Sequence, residues 1–162
     1  MPKVLELITC GEITLVPFDK PTDFDYLVDL AMKYKWNRVS REQMYRLLRN
    51  YGRYFWNSYY KDQKYGVGYI CYNDDIDIWT IDLYRDNALC KALDRKAEMT
   101  FRPGQVLIKH IFETTQIERL FGITDAKNRA LLMLAKRLGF KFCRDIDTIF
   151  GKFRMIVRDR ED

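Results

Sequence analysis

The stretch NRALLMLAKRLGF, Asn128 to Phe140, has the residue types of a helix with one end left open for chemistry. Asn128 can accept a hydrogen bond from a first-turn amide. Lys136 and Arg137 stand where the negative end of a helix dipole favours cations, and Gly139 suits the left-handed residue that closes a helix. Leu131, Leu134, Ala135 and Leu138 share one stripe, so the helix docks on a sheet and its N-terminus holds a fixed direction. Unpaired amides at such an end suit an anion. A second group lies in the strand-like DIDIWTIDLY, where Asp77, Thr80 and Asp82 are the polar positions and Tyr84 follows. A metal site is not expected. Cys10, Cys71, Cys90 and Cys143 have no C-x-x-C spacing, and His110 is the single histidine.

The chain that positions these residues has 162 of them, the size of one domain, taken as residues 1–162. Hydrophobic residues make up 48% and aromatics 15%, which argues for a filled interior and against disorder. No apolar run approaches the ~20 residues of a membrane helix. The start, MPKVLELITCGEITL, lacks the features of a secretory signal, so a soluble, cytoplasmic protein with reduced cysteines is expected. The balance of 28 basic against 23 acidic residues gives +5, favouring a phosphate-bearing ligand. Bases and acids are interleaved, as in REQMYRLLRN and DRKAEMTFR, which describes a mixed solvated surface better than a nucleic-acid interface.

Along the chain, EITLVPFDK reads as a strand. TDFDYLVDLAMKYK reads as a helix capped by Thr22 with Asp25, and SREQMYRLLRNYG as a second one capped by Ser40 with Gln43 and stopped at Gly52. YFWNSYY, KYGVGYICYN and DIDIWTIDLY then form an antiparallel meander through the turns KDQ and NDD, with a bulge expected near Trp79. In YGRYFWNSYYKDQKY, bases interleaved with aromatics have the pattern of a nucleic-acid surface. Strand alternation accounts for it better, with Tyr54, Trp56, Ser58 and Tyr60 on one side and Phe55, Asn57 and Tyr59 on the other. RDNALCKALDRKAEMTF is mixed, helix or loop. Pro103 and Gly104 break the chain before a helix over QVLIKHIFETT. The strand ERLFGITDA precedes the Asn128 helix, and FKFCRDID with TIFGKFRMIVRD closes as a hairpin. The order is β-α-α-β-β-β-α-β-α-β-β, an α/β fold with helices packed on a mixed sheet.

Asn128, eleven positions before Gly139, with LGFKF after it and a strand on either side, resembles the C-terminal motif of the GNAT superfamily of acyl-CoA-dependent N-acyltransferases. In that motif an Asn opens the last helix and a Gly-Phe ends it. The element order resembles the same fold from about Glu12 to Asp159. The resemblance implies a GNAT-like, mostly antiparallel central sheet with helices on both faces and two splayed central strands, here DIWTIDLY and ERLFGITDA. It implies acetyl-CoA as acyl donor, with its pantetheine arm in the gap. The acceptor would be an amine on a small molecule or protein. The pyrophosphate would rest on the turn opening the central helix. Aligned on LIKHIF, that turn is Arg102, Pro103, Gly104, Gln105 and Val106, which with Asn128 forms the cofactor-binding set. Asp82 is the base of choice, with Thr80 and Asp77 weaker on the same strand. His110, beside Lys109 in the central helix, reads as a packed or surface residue.

Three departures matter. The family loop carries two glycines flanking one residue, with Gln or Arg upstream; here Gly104 alone survives, Arg102 takes the first glycine's place and Met99 the upstream one. An Arg there can bond a phosphate or block the close approach that glycine allows. Many members carry a Tyr seven positions after the Asn to reprotonate the thiolate; here Ala135 stands there, leaving Tyr84, Tyr72 or a water. The stretch from Arg85 to Phe101 is also longer than usual and resembles the divergent acyltransferase-like proteins of tailed bacteriophages. That narrower likeness implies the host cytoplasm or the virion as setting. It also implies a second function, a catalytically silent GNAT-like protein acting in binding or head assembly. Exposed aromatics in the hairpins are compatible with a homodimer or a larger assembly.

Overall fold

Alternating apolar side chains along the strands build an eight-stranded sheet covered on both faces. The computed structural model describes residues 5–34, 40–73, 76–93, 96–149 and 151–161. The strands are β1 (Ile8–Cys10), β2 (Ile13–Pro17), β3 (Gly52–Tyr60), β4 (Gln63–Asn73), β5 (Ile78–Arg85), β6 (Arg119–Asp125), β7 (Lys141–Thr148) and β8 (Gly151–Asp159). The helices are α1 (Pro21–Tyr34), α2 (Arg41–Tyr51), α3 (Asn87–Ala92), α4 (Lys96–Thr114) and α5 (Arg129–Arg137). Strand order is β1-β2-β3-β4-β5-β6-β8-β7, with β5 and β6 the parallel pair among antiparallel neighbours. The expected α/β class and mostly antiparallel sheet are observed, with β1 and α3 as additions. No helix among the described residues is long and apolar enough to cross a membrane.

Neighbouring strand residues point to opposite faces, so Trp56 and Phe55 enter different cores. Trp56, Ile70, Ile81 and Leu120 pack with Leu107, Ile108 and Ile111 of α4, with Ala135 of α5 and with Leu138 at its C-terminal end. Phe55, Val67 and Tyr69 pack with Leu27, Val28 and Ala31 of α1 and with Met44 of α2. Burying side chains of this size contributes roughly 1.5–3 kcal/mol each.

The helix ends follow local rules where caps were legible. The Ser40 amide donates to Gln43 Oε1 at 2.8 Å and the Gln43 amide to Ser40 Oγ at 3.2 Å, a reciprocal capping box for α2. Asn128 caps α5 by accepting from the Leu131 amide at 3.2 Å. Gly139, at φ +88°, closes that helix, with its own amide on Lys136 and the Phe140 amide on the Ala135 carbonyl. From β8, Arg158 donates to the Leu138 carbonyl at 2.7 Å, and Arg160 reaches the carbonyls of Phe112, Thr115 and Ile117. β8 and the residue that follows it thereby satisfy carbonyls at the C-terminal ends of both helices on that face.

Four local expectations are corrected. Helix α1 begins at Pro21, and its reverse cap is Asp23, not Thr22. The Asp23 carboxylate accepts from the amides of Asp19 and Lys20 at 2.9 and 3.1 Å and from Asn57 Nδ2 at 2.9 Å. Proline costs nothing where the amide is unpaired anyway. Gly52 does not stop α2 as a separate residue; it already pairs with Cys71 as the first residue of β3. Trp79 is not a bulge, because β4 and β5 pair without a shift from Gly66↔Arg85 to Asn73↔Ile78. Trp79 shares the face of Ile81 and stacks on Tyr54 at 6.1 Å, so the alternation is intact, and the register shifts lie in the β3–β4 pairing instead. Asp74 and Asp75 of the expected NDD turn lie outside the described residues.

The fourth correction bears on the site. Pro103 and Gly104 do not break the chain, since α4 runs from Lys96 to Thr114 with Pro103 inside it. A proline leaves the carbonyl four residues earlier without its amide partner. That carbonyl belongs to Met99, and the buried Tyr65 hydroxyl donates to it at 2.8 Å.

Candidate functional site

β5 carries the site because its two sides look into different worlds. Ile81 and Leu83 face α4 and α5, while Tyr84, and with it by alternation Asp82 and Thr80, faces α1 and α2. On one flank β5 is zipped to β4 along its whole length. On the other it meets β6 at a single pair, Thr80↔Phe121. β6 is meanwhile fully paired with β8. Beyond Thr80 and Phe121, residues 81–85 and 122–125 therefore form the two sides of an opening. An extended, amide-bearing chain can pair with such free strand flanks.

Asp82 stands directly opposite Tyr69 of β4. The Tyr69 hydroxyl donates to the Tyr84 hydroxyl at 3.5 Å, with the two rings 5.8 Å apart, on the face of the sheet that Asp82 shares. Burial raises the proton affinity of Asp82, the Tyr69 bond lowers it, and the pKa comes to about 6. The Tyr69 phenol is pushed well above its ordinary value by its own burial, then by the neighbouring Asp82 and Tyr84. Beside this row the Cys71 thiol lies 3.0 Å from Thr80 Oγ1.

Tyr69 had no assigned part in the sequence reading. KYGVGYICYN shows a tyrosine on an alternating strand, but its partner across the sheet depends on the length of the turn before β5. The remaining candidates are dispersed. Asp77 sits in the exposed turn before β5 at φ +52° and accepts from the Tyr72 hydroxyl. The Tyr72 ring packs on Trp79 at 5.3 Å. His110 is on the opposite face, edge-on to Trp56 at 6.3 Å.

Arg102, Gly104, Gln105 and Val106 are not in a turn. They lie in the body of α4, where the amides belong to the helix ladder rather than to a ligand. Gly104 is buried, and a Cβ there would come within 3.0 Å of both Leu83 Cδ1 and Leu138 Cδ1. Its lack of a side chain lets α4 press against β5 and α5. Arg102 and Gln105 are exposed on the outer side. Nearby, Arg137 lies over the Phe101 ring at 4.3 Å. The positive end of α4 is at Lys96, about 12 Å along the axis from Gly104 at the usual rise. Asn128 opens α5 directly after β6, with its amide on the Asp125 carbonyl at 3.0 Å.

On the α1 and α2 side a surface pocket of about 510 Å³ is walled by Phe18, Phe24 and Tyr45 with Asp19, Lys20 and Asp25. Phe18 and Phe24 pack on Phe55, which touches Tyr69 at 4.9 Å, so aromatic rings link this pocket to the Asp82 row.

Solved structures share this architecture over nearly the whole chain. RimL, the ribosomal L7/L12 alpha-N-protein acetyltransferase, solved in complex with coenzyme A, matches with a TM-score of 0.72 at 15% identity, covering 95% of this chain and 98% of that one. A GNAT-family acetyltransferase from Bacillus anthracis matches with a TM-score of 0.73 at 8% identity, covering 97% and 100%. This is the GNAT fold. A chimeric spermidine N-acetyltransferase containing the Vibrio cholerae protein shares it, with a TM-score of 0.69 at 10% identity over 93% and 97% of the two chains. No family model and no curated protein sequence matches the chain. The GNAT fold here keeps the parted β5 and β6 and carries helix where the sequence reading expected a phosphate-binding turn.

Proposed function

We propose that the protein transfers an acyl group from the thioester of acyl-CoA, acetyl-CoA in the simplest case, to an amine on a small molecule or a protein. The observation that carries this reading is Asp82, a carboxyl of pKa about 6 on β5 beside the place where β5 and β6 part. Attack of an amine on a thioester leaves a surplus proton on nitrogen, and a carboxylate that titrates just below neutrality can accept it. Tyr84, in the same row, is the group to return a proton to the departing sulfur, a part that the buried Ala135 cannot play. The similar structures named for a protein α-amine and for spermidine support an amine as acceptor. The aromatic walls of the pocket beside Phe55 suit the rest of a cationic acceptor.

The residues fit coenzyme A in part. The opening between 81–85 and 122–125 suits a pantetheine arm. The segment 102–106 does not fit a diphosphate cradle, so no part in phosphate binding is assigned to its backbone. Asn128 caps the N-terminus of α5, which follows β6 and is the helix end we assign to an anion.

A thermal-shift titration with acetyl-CoA, followed by thiol release over a panel of amines, tests the reading. Ligand at 100 times its dissociation constant stabilises a fold by about 2.7 kcal/mol. Asp82→Asn is expected to keep the shift and to lose release by about a hundredfold or more. The helix at 102–106 and Ala135 favour a second reading, a catalytically silent GNAT-fold protein that serves binding or phage head assembly. A protein that neither shifts nor releases thiol supports that reading and ends the first.

A further inference from the structure

The transfer chemistry asks for a base and an acid, and the structure sets a third group, Tyr69, beside both on the neighbouring strand. Asp82 and Tyr84 lie two residues apart on one strand, so their side chains share a face without needing to touch. Tyr69 reaches across from β4, directly opposite Asp82, and its hydroxyl donates to that of Tyr84 at 3.5 Å. It is 8% exposed and its ring lies against Phe55 and Tyr84, so a phenylalanine would fill the same space. A buried hydroxyl is costly unless it is bonded, and this one is bonded to Tyr84 and stands opposite Asp82, the two groups that the reaction uses.

We propose that Tyr69 is a positioning residue that couples the base to the acid, holding the Asp82 carboxyl in place and passing its proton to Tyr84. The proposal rests on the acyl-transfer reading above. As the new C–N bond forms and the C–S bond breaks, the surplus proton on nitrogen goes to the Asp82 carboxylate. The Tyr84 hydroxyl proton goes to the departing sulfur. The Tyr69 hydroxyl proton then moves to Tyr84 and the Asp82 proton to Tyr69. Every side chain ends in its starting state, nothing is oxidised or reduced, and no solvent need enter between turnovers.

The surroundings of Asp82 allow this hand-over to be isolated. β4 presents Tyr69 and, one pair along, Cys71; β5 presents Thr80 and Tyr84. β6 presents Phe121 and Ile123 on that side, with Asp125 at its end, and α1 and α2 bring Phe24, Tyr26 and Tyr45 to the same apolar cluster. Among the described residues, Tyr69 is the one whose bond lowers the proton affinity of Asp82.

The test compares Tyr69→Phe and Tyr84→Phe with the parent by two readouts. The carbon-13 titration of the Asp82 carboxyl needs no activity. Its midpoint is expected near 6 in the parent, as burial and the Tyr69 bond together set it, and higher in Tyr69→Phe because the lowering bond is gone. In Tyr84→Phe it should stay in place. The acid limb of kcat/KM should follow the carboxyl in Tyr69→Phe, and kcat should fall about a hundredfold or more in Tyr84→Phe, where the acid is gone, and by less in Tyr69→Phe. A carboxyl midpoint that ignores Tyr69→Phe overturns the proposal. So does a midpoint that moves while the acid limb of an active enzyme does not. A parent with no thiol release across the amines ends the transfer reading and the proton hand-over with it. The carboxyl titration then still decides whether Tyr69 governs Asp82.

Discussion

The hydroxyl of Tyr65 and the carbonyl of Met99 are joined by a buried 2.8 Å hydrogen bond that stands in for the amide Pro103 lacks. Tyr65 is 1% exposed, so neither group can turn to water instead. Tyr65→Phe should therefore cost about 1–3 kcal/mol, the penalty of leaving a buried carbonyl alone. In that background Pro103→Ala restores an amide to the helix and should recover part of the loss. Urea unfolding of the two single variants and the double variant measures the coupling. Purely additive effects would show that residue 103 and Tyr65 do not share the Met99 carbonyl.

Gly104 touches Leu83 and Leu138 at a distance no side chain can occupy without displacing them. Gly104→Val is expected to destabilise by roughly 1–3 kcal/mol through overpacking. Leu83→Ala should relieve part of that strain. A valine variant that unfolds like the parent but loses acetyl-CoA binding would instead mark Gly104 as a ligand contact.

Carboxylates in this fold pull stability in opposite directions with pH. Asp82 rises from an ordinary 3.8 to about 6 on folding, so its contribution is fully present below about 4 and is lost as pH climbs through 6. Asp82→Asn should stabilise the protein at pH 8 by roughly 1–3 kcal/mol, with the gain vanishing near pH 3.

Asp86 runs the other way. Burial alone would raise its pKa, but the Tyr34 hydroxyl, the Leu89 amide and Lys33 outweigh that and hold it below its ordinary value. Its contribution is present above the usual carboxylate range and is lost as pH falls through the lowered value. Asp86→Asn should lower the melting temperature at pH 7 and do so less at pH 2. Melting curves of both variants across pH would refute the assignment if their slopes had the same sign.

The α5 helix should be sensitive at both ends. Asn128→Ala removes the cap on the Leu131 amide and is expected to cost about 1 kcal/mol. Gly139→Ala places a side chain at φ +88° and is expected to cost about 1 kcal/mol. Chemical denaturation reads both. A cost at Asn128 that disappears when acetyl-CoA is present would place ligand at that helix end.

Local pattern was enough for the hairpins, for α2 and for α5, because their causes lie within a few residues. The Ser40 and Gln43 pair, the Asn128 cap and the Gly139 stop each act across one turn of helix, and alternation set the two faces of β3. The motif around Asn128, with the element order, was enough to expect the architecture that the solved structures share. Asp82 could be placed on β5, the strand that parts from β6.

What the chain order could not decide was whatever depends on a partner far along the chain. A proline and a glycine read as a break by local rules, yet α4 continues because Tyr65, on another strand, satisfies the orphaned carbonyl. The same packing turned Gly104 from an expected phosphate contact into a close approach of helix, strand and helix. Tyr69 meets Asp82 only through the register of β4 on β5, and the proton affinity of that carboxyl follows from the water its neighbours exclude. Caps and alternation are short-range and written residue by residue. Hydrogen-bond satisfaction and desolvation act across the core and exist only once the sheet has closed.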